Sequence, residues 1–332
     1  MATNDFLVFG GGAGANVIPQ VTYSGLTART AGFSSGVAQS AQLNKVWRQS
    51  SIMAAVLAQF ISDQTGQDAV DDGTTATLLA NLKAAVRLQH GQCRLSVVSG
   101  TQLKLSPYNG NGLIINGLPQ QVPGVGVSVS NAGLAAGTLY YAYSYMNAGV
   151  MALELSSTGH STGTAGVEQK TGDPTRTLVG MVRTNASSQF VDSATQRFCL
   201  NWFNRRSIAA TNTFNVNRST TSTTPVELSP TERAEFLNWG DESTYVTFLA
   251  SASQNTTSGS FSSSVGLDGI TPAPFNMVVN VTAVNTPQNV SAMGALTPTE
   301  GYHYLTAYGA ATAGFTATWL GQYPTLTANI RG

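Results

Sequence analysis

Charged side chains are scarce in this sequence. Asp, Glu, Lys and Arg make up 10% of its 332 residues, whereas about a quarter is usual in soluble proteins. Sixteen basic residues balance sixteen acidic ones. No excess of positive charge is therefore available for the phosphates of a nucleic acid or for an anionic membrane surface. The composition predicts no nucleic-acid partner.

Cysteine and long apolar runs are also lacking. The two cysteines, Cys93 and Cys199, cannot build a disulfide scaffold and do not have the spacing of a zinc site. The most apolar stretch, residues 52–57 followed by Phe60 and Ile61, is too short and too polar to cross a bilayer. The N-terminus shows no basic segment followed by an apolar run. We therefore expect buried thiols in a protein made in a reducing cytoplasm, without membrane insertion.

Histidine is rare as well, which restricts the chemistry. His90, His160 and His303 are too scattered in the sequence to argue for a nucleophilic site. A glycan-cleaving site would need two carboxylates at one sugar bond. Four acidic residues in the middle of the chain are candidates: Glu154, Glu168, Asp173 and Asp192. Glu154 alternates with apolar neighbours and is expected to face solvent, and Asp173 lies in a Gly-Asp-Pro-Thr turn. The sequence thus predicts no catalytic residue and no enzyme.

A glycine-rich segment near the N-terminus imitates a cofactor-binding turn. Gly10, Gly12 and Ala15 have the G-x-G-x-x-G/A spacing, but that turn must open a helix and be followed about twenty residues later by an acidic residue. Pro19 interrupts the helix, and the next acidic residue is at position 63. We therefore predict no nucleotide, metal or other cofactor.

Helical periodicity is confined to the first ninety residues. Apolar residues recur at intervals of three and four over residues 41–61, and Gly66 is a stop signal. A second helix is predicted over residues 74–87, with Asp71 and Asp72 capping its start. Two short amphipathic helices cannot enclose their own apolar faces, so the rest of the chain, further copies of it or a partner protein must cover them. The candidate contacts on the first helix are Leu43, Val46, Trp47, Leu57 and Ile61.

The remainder of the chain alternates between apolar and polar residues, as β-strands do, with turn signals about every ten residues. We predict a mainly β fold in which a short N-terminal helical segment precedes an antiparallel β-barrel or sandwich and a C-terminal, jelly-roll-like β-sandwich. The predicted domains are residues 1–90, 91–208 and 209–332, with a polar connector at 207–224.

Aromatic residues near the C-terminus suggest two uses. Tyrosine rings stack well on the apolar faces of sugars, and Tyr302, Tyr308 and Tyr323 are the candidate receptor contacts. Phe315 and Trp319 are four residues apart and would share one face of a strand, which is typical of a core face.

Several segments resemble one group of proteins. Residues 43–51 (LNKVWRQSS) and 58–68 (AQFISDQTGQD) are similar to the N-terminal segment of tail-fibre-like and collar proteins of tailed bacteriophages. Residues 139–143, 157–160 and 172–181 resemble a β module of the same proteins, as do residues 300–304 through 329–332. The resemblance touches all three predicted domains as a loose pattern.

This resemblance implies a structural component of the virion, a tail fibre or collar protein made in the bacterial host cytoplasm and usually trimeric. The N-terminal segment would dock to other tail or collar proteins, and the β domains would face outward, where a host surface glycan is a further candidate partner. The alternatives are a head-decoration fibre, a glycan-cleaving tail spike and a lectin-like surface module.

Overall fold

A computed structural model describes residues 2–86, 89–270, 275–321 and 323–332. Four helices and twenty-three strands lie within these ranges. The helices are α1 (Gln20–Ser24), α2 (Ala28–Ala31), α3 (Ser40–Thr65) and α4 (Ala76–Ala85). The strands in the first part of the chain are β1 (Cys93–Ser99), β2 (Gln102–Pro107), β3 (Gly112–Ile115), β4 (Leu118–Gln121), β5 (Val127–Ser130), β6 (Leu139–Asn147), β7 (Val150–Ser156), β8 (His160–Thr162), β9 (Glu168–Lys170), β10 (Asp173–Arg183), β11 (Gln196–Arg197) and β12 (Cys199–Asn201).

The strands that follow are β13 (Ser207–Thr213), β14 (Arg218–Thr220), β15 (Val226–Glu227), β16 (Ala234–Asn238), β17 (Thr244–Gln254), β18 (Ser260–Leu267), β19 (Asn276–Asn280), β20 (Gln288–Leu296), β21 (Gly301–Ala310), β22 (Ala317–Trp319) and β23 (Thr325–Arg331). The mainly β prediction is confirmed, with 43% of residues in strands and 14% in helices. None of the helices found in the described ranges has the length and apolar character needed to cross a bilayer.

The chain forms two compact units: Met1–His90 with Leu118–Gln121, and Gly91–Gly117 with Val122–Gly332. In the first unit α3 is 26 residues, about 39 Å, long. It ends at the predicted stop signal, because Gly66 has a left-handed backbone conformation and donates its N–H to the carbonyl of Ser62.

Helix α4 begins later than predicted and without the expected cap. The Asp72 carboxylate accepts hydrogen bonds from the N–H and hydroxyl of Thr74, both at 2.8 Å, which closes a turn before the helix. The N-cap residue of α4 is Thr75, and it makes no side-chain cap bond. The capping prediction for Asp71 and Asp72 is therefore wrong. Arg87, the last residue of the predicted helix, lies outside the described residues.

Four sheets lie within the described residues of the second unit. Their strand orders are β1-β2-β5; β7-β6-β10-β9-β8, with β12 also paired to β10; β11-β16-β21-β18-β19, with β15 on β21; and β13-β23-β17-β22-β14, with β20 on β17. Strands β11 and β16 are parallel, and the other described strand pairs in these sheets are antiparallel.

Strand β10 is apolar on both faces, and each face belongs to a different core. Leu178 and Met181 pack with Tyr143 and the two C-terminal sheets, whereas Val179 and Val182 pack with the sheet of β1, β2 and β5. A register shift between Leu178 and Gly180 changes which face each residue occupies. The two cores therefore meet at the sheet that contains β10. Its neighbours β6 and β12 also contribute to both cores, with Tyr143 and Leu200 in one and Ala142 and Cys199 in the other.

The structure differs from the predicted three-part division at residue 208. That boundary falls inside β13, and one hydrophobic core contains Tyr143 and Leu200 as well as Phe236 and Phe248. The physical reason is that the face of β10 with Leu178 and Met181 is apolar and is buried by the C-terminal sheets. The predicted connector 207–224 is also partly wrong, because it contains β13 and β14, where threonine and asparagine line the half-exposed face.

Gly180 is required by close packing on both sides of β10. A Cβ atom at this position would lie 2.7 Å from the backbone oxygen of Leu200 and 2.8 Å from a methyl carbon of Leu95. Real Cβ atoms do not approach backbone oxygens this closely, so any larger residue must push β10 and β12 apart.

We expect Gly180→Ala to lower the free energy of unfolding by about 1–3 kcal/mol, the usual effect of overpacking a core. Gly124→Ala is the matched control, because Gly124 has open space around its Cβ position and no positive φ. Its effect should stay within about 0.5 kcal/mol. Urea unfolding of the full chain followed by circular dichroism measures both, and equal stabilities of the two variants would contradict this packing.

Candidate assembly surface

One face of α3 is covered by the chain's own N-terminal segment. The side-chain amide of Asn4 donates to the carbonyl of Ala55 at 3.2 Å, the Ser62 hydroxyl donates to the carbonyl of Thr3 at 3.2 Å, and the N–H of Phe9 donates to the Ser51 hydroxyl at 2.9 Å. Residues 51, 55, 58 and 62 lie on this face, since they are separated by three and four positions. The covering segment therefore decides which side of the helix remains outward.

The opposite face of α3 is apolar and exposed. It consists of Ile52, Met53, Val56, Leu57 and Phe60, which we call the α3 apolar face. Met53 is 67% exposed, Val56 59% and Leu57 47%. No charged residue occurs between positions 49 and 62. A contiguous apolar surface of this kind on a soluble protein marks an interaction site.

An apolar groove adjoins this face. Its volume is about 290 Å³, and it lies between α3, α4 and the N-terminal segment. The residues lining it are Phe6, Ala54, Leu57, Ala58, Ile61, Thr75, Leu78, Leu79 and Leu82. Leu57 belongs to both the groove and the α3 apolar face, so the two features form one continuous apolar surface.

The predicted contact residues on this helix divide into three groups by exposure. Trp47 and Leu57 are exposed, and the ring of Phe9 packs edge-on against Trp47 with centroids 5.7 Å apart. Leu43 and Val46 are half-buried. Ile61 is buried within the first unit, so it supports α3 from inside and cannot be a contact with another chain.

Four members of the α3 apolar face are missing from the predicted contacts: Ile52, Met53, Val56 and Phe60. Val56, Leu57 and Phe60 follow Met53 by three, four and seven positions, which was a usable signal, but the sequence predicted a stripe centred elsewhere on the helix. The N-terminal segment covers part of that predicted stripe, and only the folded structure shows this.

Two of the three candidate receptor tyrosines are engaged by other residues of the chain. The guanidinium of Arg183 lies 3.8 Å from the centroid of the Tyr302 ring, and the Tyr302 hydroxyl donates to Glu235. Tyr308 is buried, and its hydroxyl donates to the carbonyl of Gly269 at 2.9 Å. Both tyrosines therefore stabilise the sheet that contains β16, β21 and β18. Tyr323 is exposed and keeps the geometry of a candidate sugar contact.

The expectation that Glu154 faces solvent is wrong. Its carboxylate accepts hydrogen bonds from Lys170 and from Nε of Arg176, the latter at 2.6 Å. Burial of Glu154 opposes ionisation, but these two cationic donors outweigh it and hold the pKa of the carboxyl below its ordinary value. A group held ionised by two fixed cations is poorly suited to donate a proton.

The other three acidic candidates are also engaged. Glu168 contacts the His160 imidazole at 2.6 Å, and Asp192 contacts Arg197 at 3.3 Å. Asp173 accepts from the N–H of Thr175 at 3.0 Å, which is the turn role expected for it. These contacts give each of the three carboxylates a partner in the local structure.

No protein-family model matches the chain. No curated protein matches it in sequence. Solved structures with some likeness include Eiger TNF from S. frugiperda, with 12% identity and a TM-score of 0.29 over 38% of this chain and 93% of that one. BuGH86 in complex with neoagarooctaose has 8% identity and a TM-score of 0.25 over 74% of this chain, which spans 34% of that protein.

The structure of the infectious bursal disease virus Gx strain has 10% identity and a TM-score of 0.26 over 73% of this chain and 57% of that one. This chain therefore spans about a third of the second protein and somewhat more than half of the third. All three identities are under 25% and all three TM-scores are under 0.5, so these likenesses assign neither a family nor a function.

Proposed function

We propose that this chain is a non-enzymatic structural component of a tailed-phage virion, a tail fibre or collar protein that attaches through its N-terminal unit. The observation that carries the proposal is the α3 apolar face, which the chain itself leaves uncovered. Leaving apolar surface in water costs about 25 cal/mol per Å². An assembly protein avoids this cost by burying the surface against another chain.

Further copies of this chain are the proposed cover. Leu43, Val46, Ser50, Met53, Leu57 and Phe60 alternate at intervals of three and four, which is the 3.5-residue period of helices that wind around one another. In a parallel, symmetric assembly each side chain meets its own equivalent at the same height. We call the line along which these helices would meet the seam. No residue from position 49 to 62 is charged, so like charges would not repel one another across that part of it. Three copies are proposed, as in the phage fibres that the sequence resembles.

The second unit has a surface suited to the outside of a particle. Between positions 243 and 298 the single charged residue is Asp268, and hydroxyl side chains take the place of charges. Elsewhere in this unit the hydroxyls of Thr211 and Thr327 are hydrogen-bonded across neighbouring strands at 3.3 Å. Neutral hydroxyls do not titrate and are little affected by salt. The second unit is therefore proposed to face outward, with the ring of Tyr323 available to a host glycan.

The seam predicts that Met53→Glu combined with Leu57→Glu converts an oligomer into monomers. Two carboxylates in every copy would face their equivalents across the seam, where both repulsion and desolvation oppose association. Helix content should not change, because both side chains are exposed in the single chain. Light scattering after gel filtration measures the mass, and circular dichroism measures the helix content.

Val37→Glu is the matched control for this experiment. Val37 is a 97% exposed apolar residue of the same unit that lies outside α3, so its substitution should leave the oligomer intact. A wild-type chain that is monomeric at micromolar concentration would overturn the proposed assembly. If the double variant keeps the oligomeric mass of the wild type, α3 does not form the contact between copies.

The virion role predicts that antibodies against the second unit label intact particles at the tail or collar. Electron microscopy of gold-labelled particles makes this measurement, and particles grown with the Met53→Glu, Leu57→Glu variant should lose the label while the Val37→Glu control keeps it. Label on the head would favour the head-decoration alternative. Unlabelled wild-type particles would contradict a virion role altogether.

A further inference from the structure

His160 lies between two carboxylates that are far apart in the sequence. Its Nδ1 atom is 2.6 Å from Oε2 of Glu168, and its Nε2 atom is 3.1 Å from Oε2 of Glu300. His160 and Glu168 belong to the hairpin of β8 and β9, whereas Glu300 immediately precedes β21. The imidazole therefore joins two different sheets of the second unit.

Both contacts can be hydrogen bonds only when the imidazole is protonated. A neutral imidazole has one N–H donor and one lone pair, so it can donate to one carboxylate and must present its lone pair to the other. The remaining oxygens of the carboxylates accept from hydroxyl groups, because Thr162 donates to Glu168 and Tyr141 donates to Glu300. This arrangement is that of two ionised carboxylates held by one imidazolium.

Aromatic rings surround the imidazole. The ring centroids of Trp202 and Trp239 lie 5.3 Å and 5.9 Å from that of His160, and the ring of Tyr141 lies 5.6 Å away. The side chains of His160 and Glu168 are each 14% exposed. In so dry a place an unpaired carboxylate is costly, and a hydrogen bond to a charged group is strong.

Other charged groups near His160 already have partners. Arg205 packs over both tryptophans and pairs with Asp241 at 2.7 Å. Lys170 lies opposite His160 in the β8–β9 pairing, but its ammonium is bonded to Glu154. Asp241 acts on Glu300 by repulsion at longer range. None of these groups replaces the proton on His160.

The electrostatics agree with this geometry. The hydrogen bond to Glu300 raises the pKa of His160 above the ordinary imidazole value, burial opposes the shift, and the bond to Glu168 adds to it. For Glu300, burial opposes ionisation, but the bonds from His160 and Tyr141 prevail and hold its pKa below the ordinary value.

We infer that His160 is a proton-dependent clamp, closed in weakly acid and neutral solution and opened when the imidazole loses its proton. Closed, it ties the β8–β9 hairpin to the start of β21. Open, it leaves one carboxylate without its donor, and the hairpin is released from the C-terminal sheets. This inference does not depend on the proposed virion role.

The pH range follows from the direction of the shift. A histidine whose pKa is raised in the folded state contributes its full stabilisation below the unfolded value, about 6.5, and loses that stabilisation as pH rises through the folded value. The clamp should therefore weaken on the alkaline side of 6.5, which is the opposite of an acid-triggered switch.

The first test is an NMR titration of the full chain with labelled histidine, in which His160→Gln identifies the His160 signal among three histidines. We expect His160 to titrate above the ordinary value, and Glu300→Gln to lower its pKa because the amide carries no charge and leaves one carboxylate in place. A wild-type His160 that titrates at or below the ordinary value would overturn the clamp.

The second test follows the unfolding temperature between pH 6 and pH 9. The wild type should lose stability over this range, and His160→Gln should flatten the loss. His90→Gln is the control, since burial lowers the pKa of His90 and its removal cannot produce the same flattening. Equal slopes in the wild type and His160→Gln would refute the inference. If His160→Gln does not fold, the Glu300→Gln titration decides the question.

Discussion

The structure of the second unit depends on burying both faces of β10. An antiparallel strand at a protein surface has one apolar face, but β10 is buried continuously from Thr177 to Val182. The register shift beside Gly180 directs consecutive apolar residues to opposite sides, and the missing side chain of Gly180 lets β12 approach closely. Because each core is completed by the same strand, the sheets on its two sides are expected to unfold together rather than as separate domains.

The fold could be predicted where a strand is apolar on one side or on both. Two strands can be recognised in this way, β3 at residues 112–115 and the continuously buried part of β10 at residues 177–182. Strand β18 gave no such signal. Ser263 and Ser264 are fully buried within it, and the Ser263 hydroxyl accepts a hydrogen bond from the Trp319 indole at 2.8 Å. A serine that is buried by satisfying another polar group looks, in sequence, like a serine on the surface.

The candidate sites were harder to predict because they depend on distant contacts. The sequence identified α3 as an amphipathic helix, but Ile61 is turned inward and Phe60 outward by a segment that lies more than forty residues earlier in the chain. Asn4 and Phe9 carry no local sign of this role. The clamp illustrates the same limit, since His160 and Glu300 are 140 positions apart and no spacing rule connects them.

The position of β23 has a consequence for how the molecule is made. This strand, residues 325–331, lies between β13 and β17, and it is hydrogen-bonded to both. During synthesis, β13 and β17 leave the ribosome well before their shared neighbour exists. Until residues 325–331 emerge, each presents an unpaired edge to solvent, and such edges recruit other strands. The second unit therefore completes this sheet only after residues 325–331 have been made, and before that point chaperones would have most to protect.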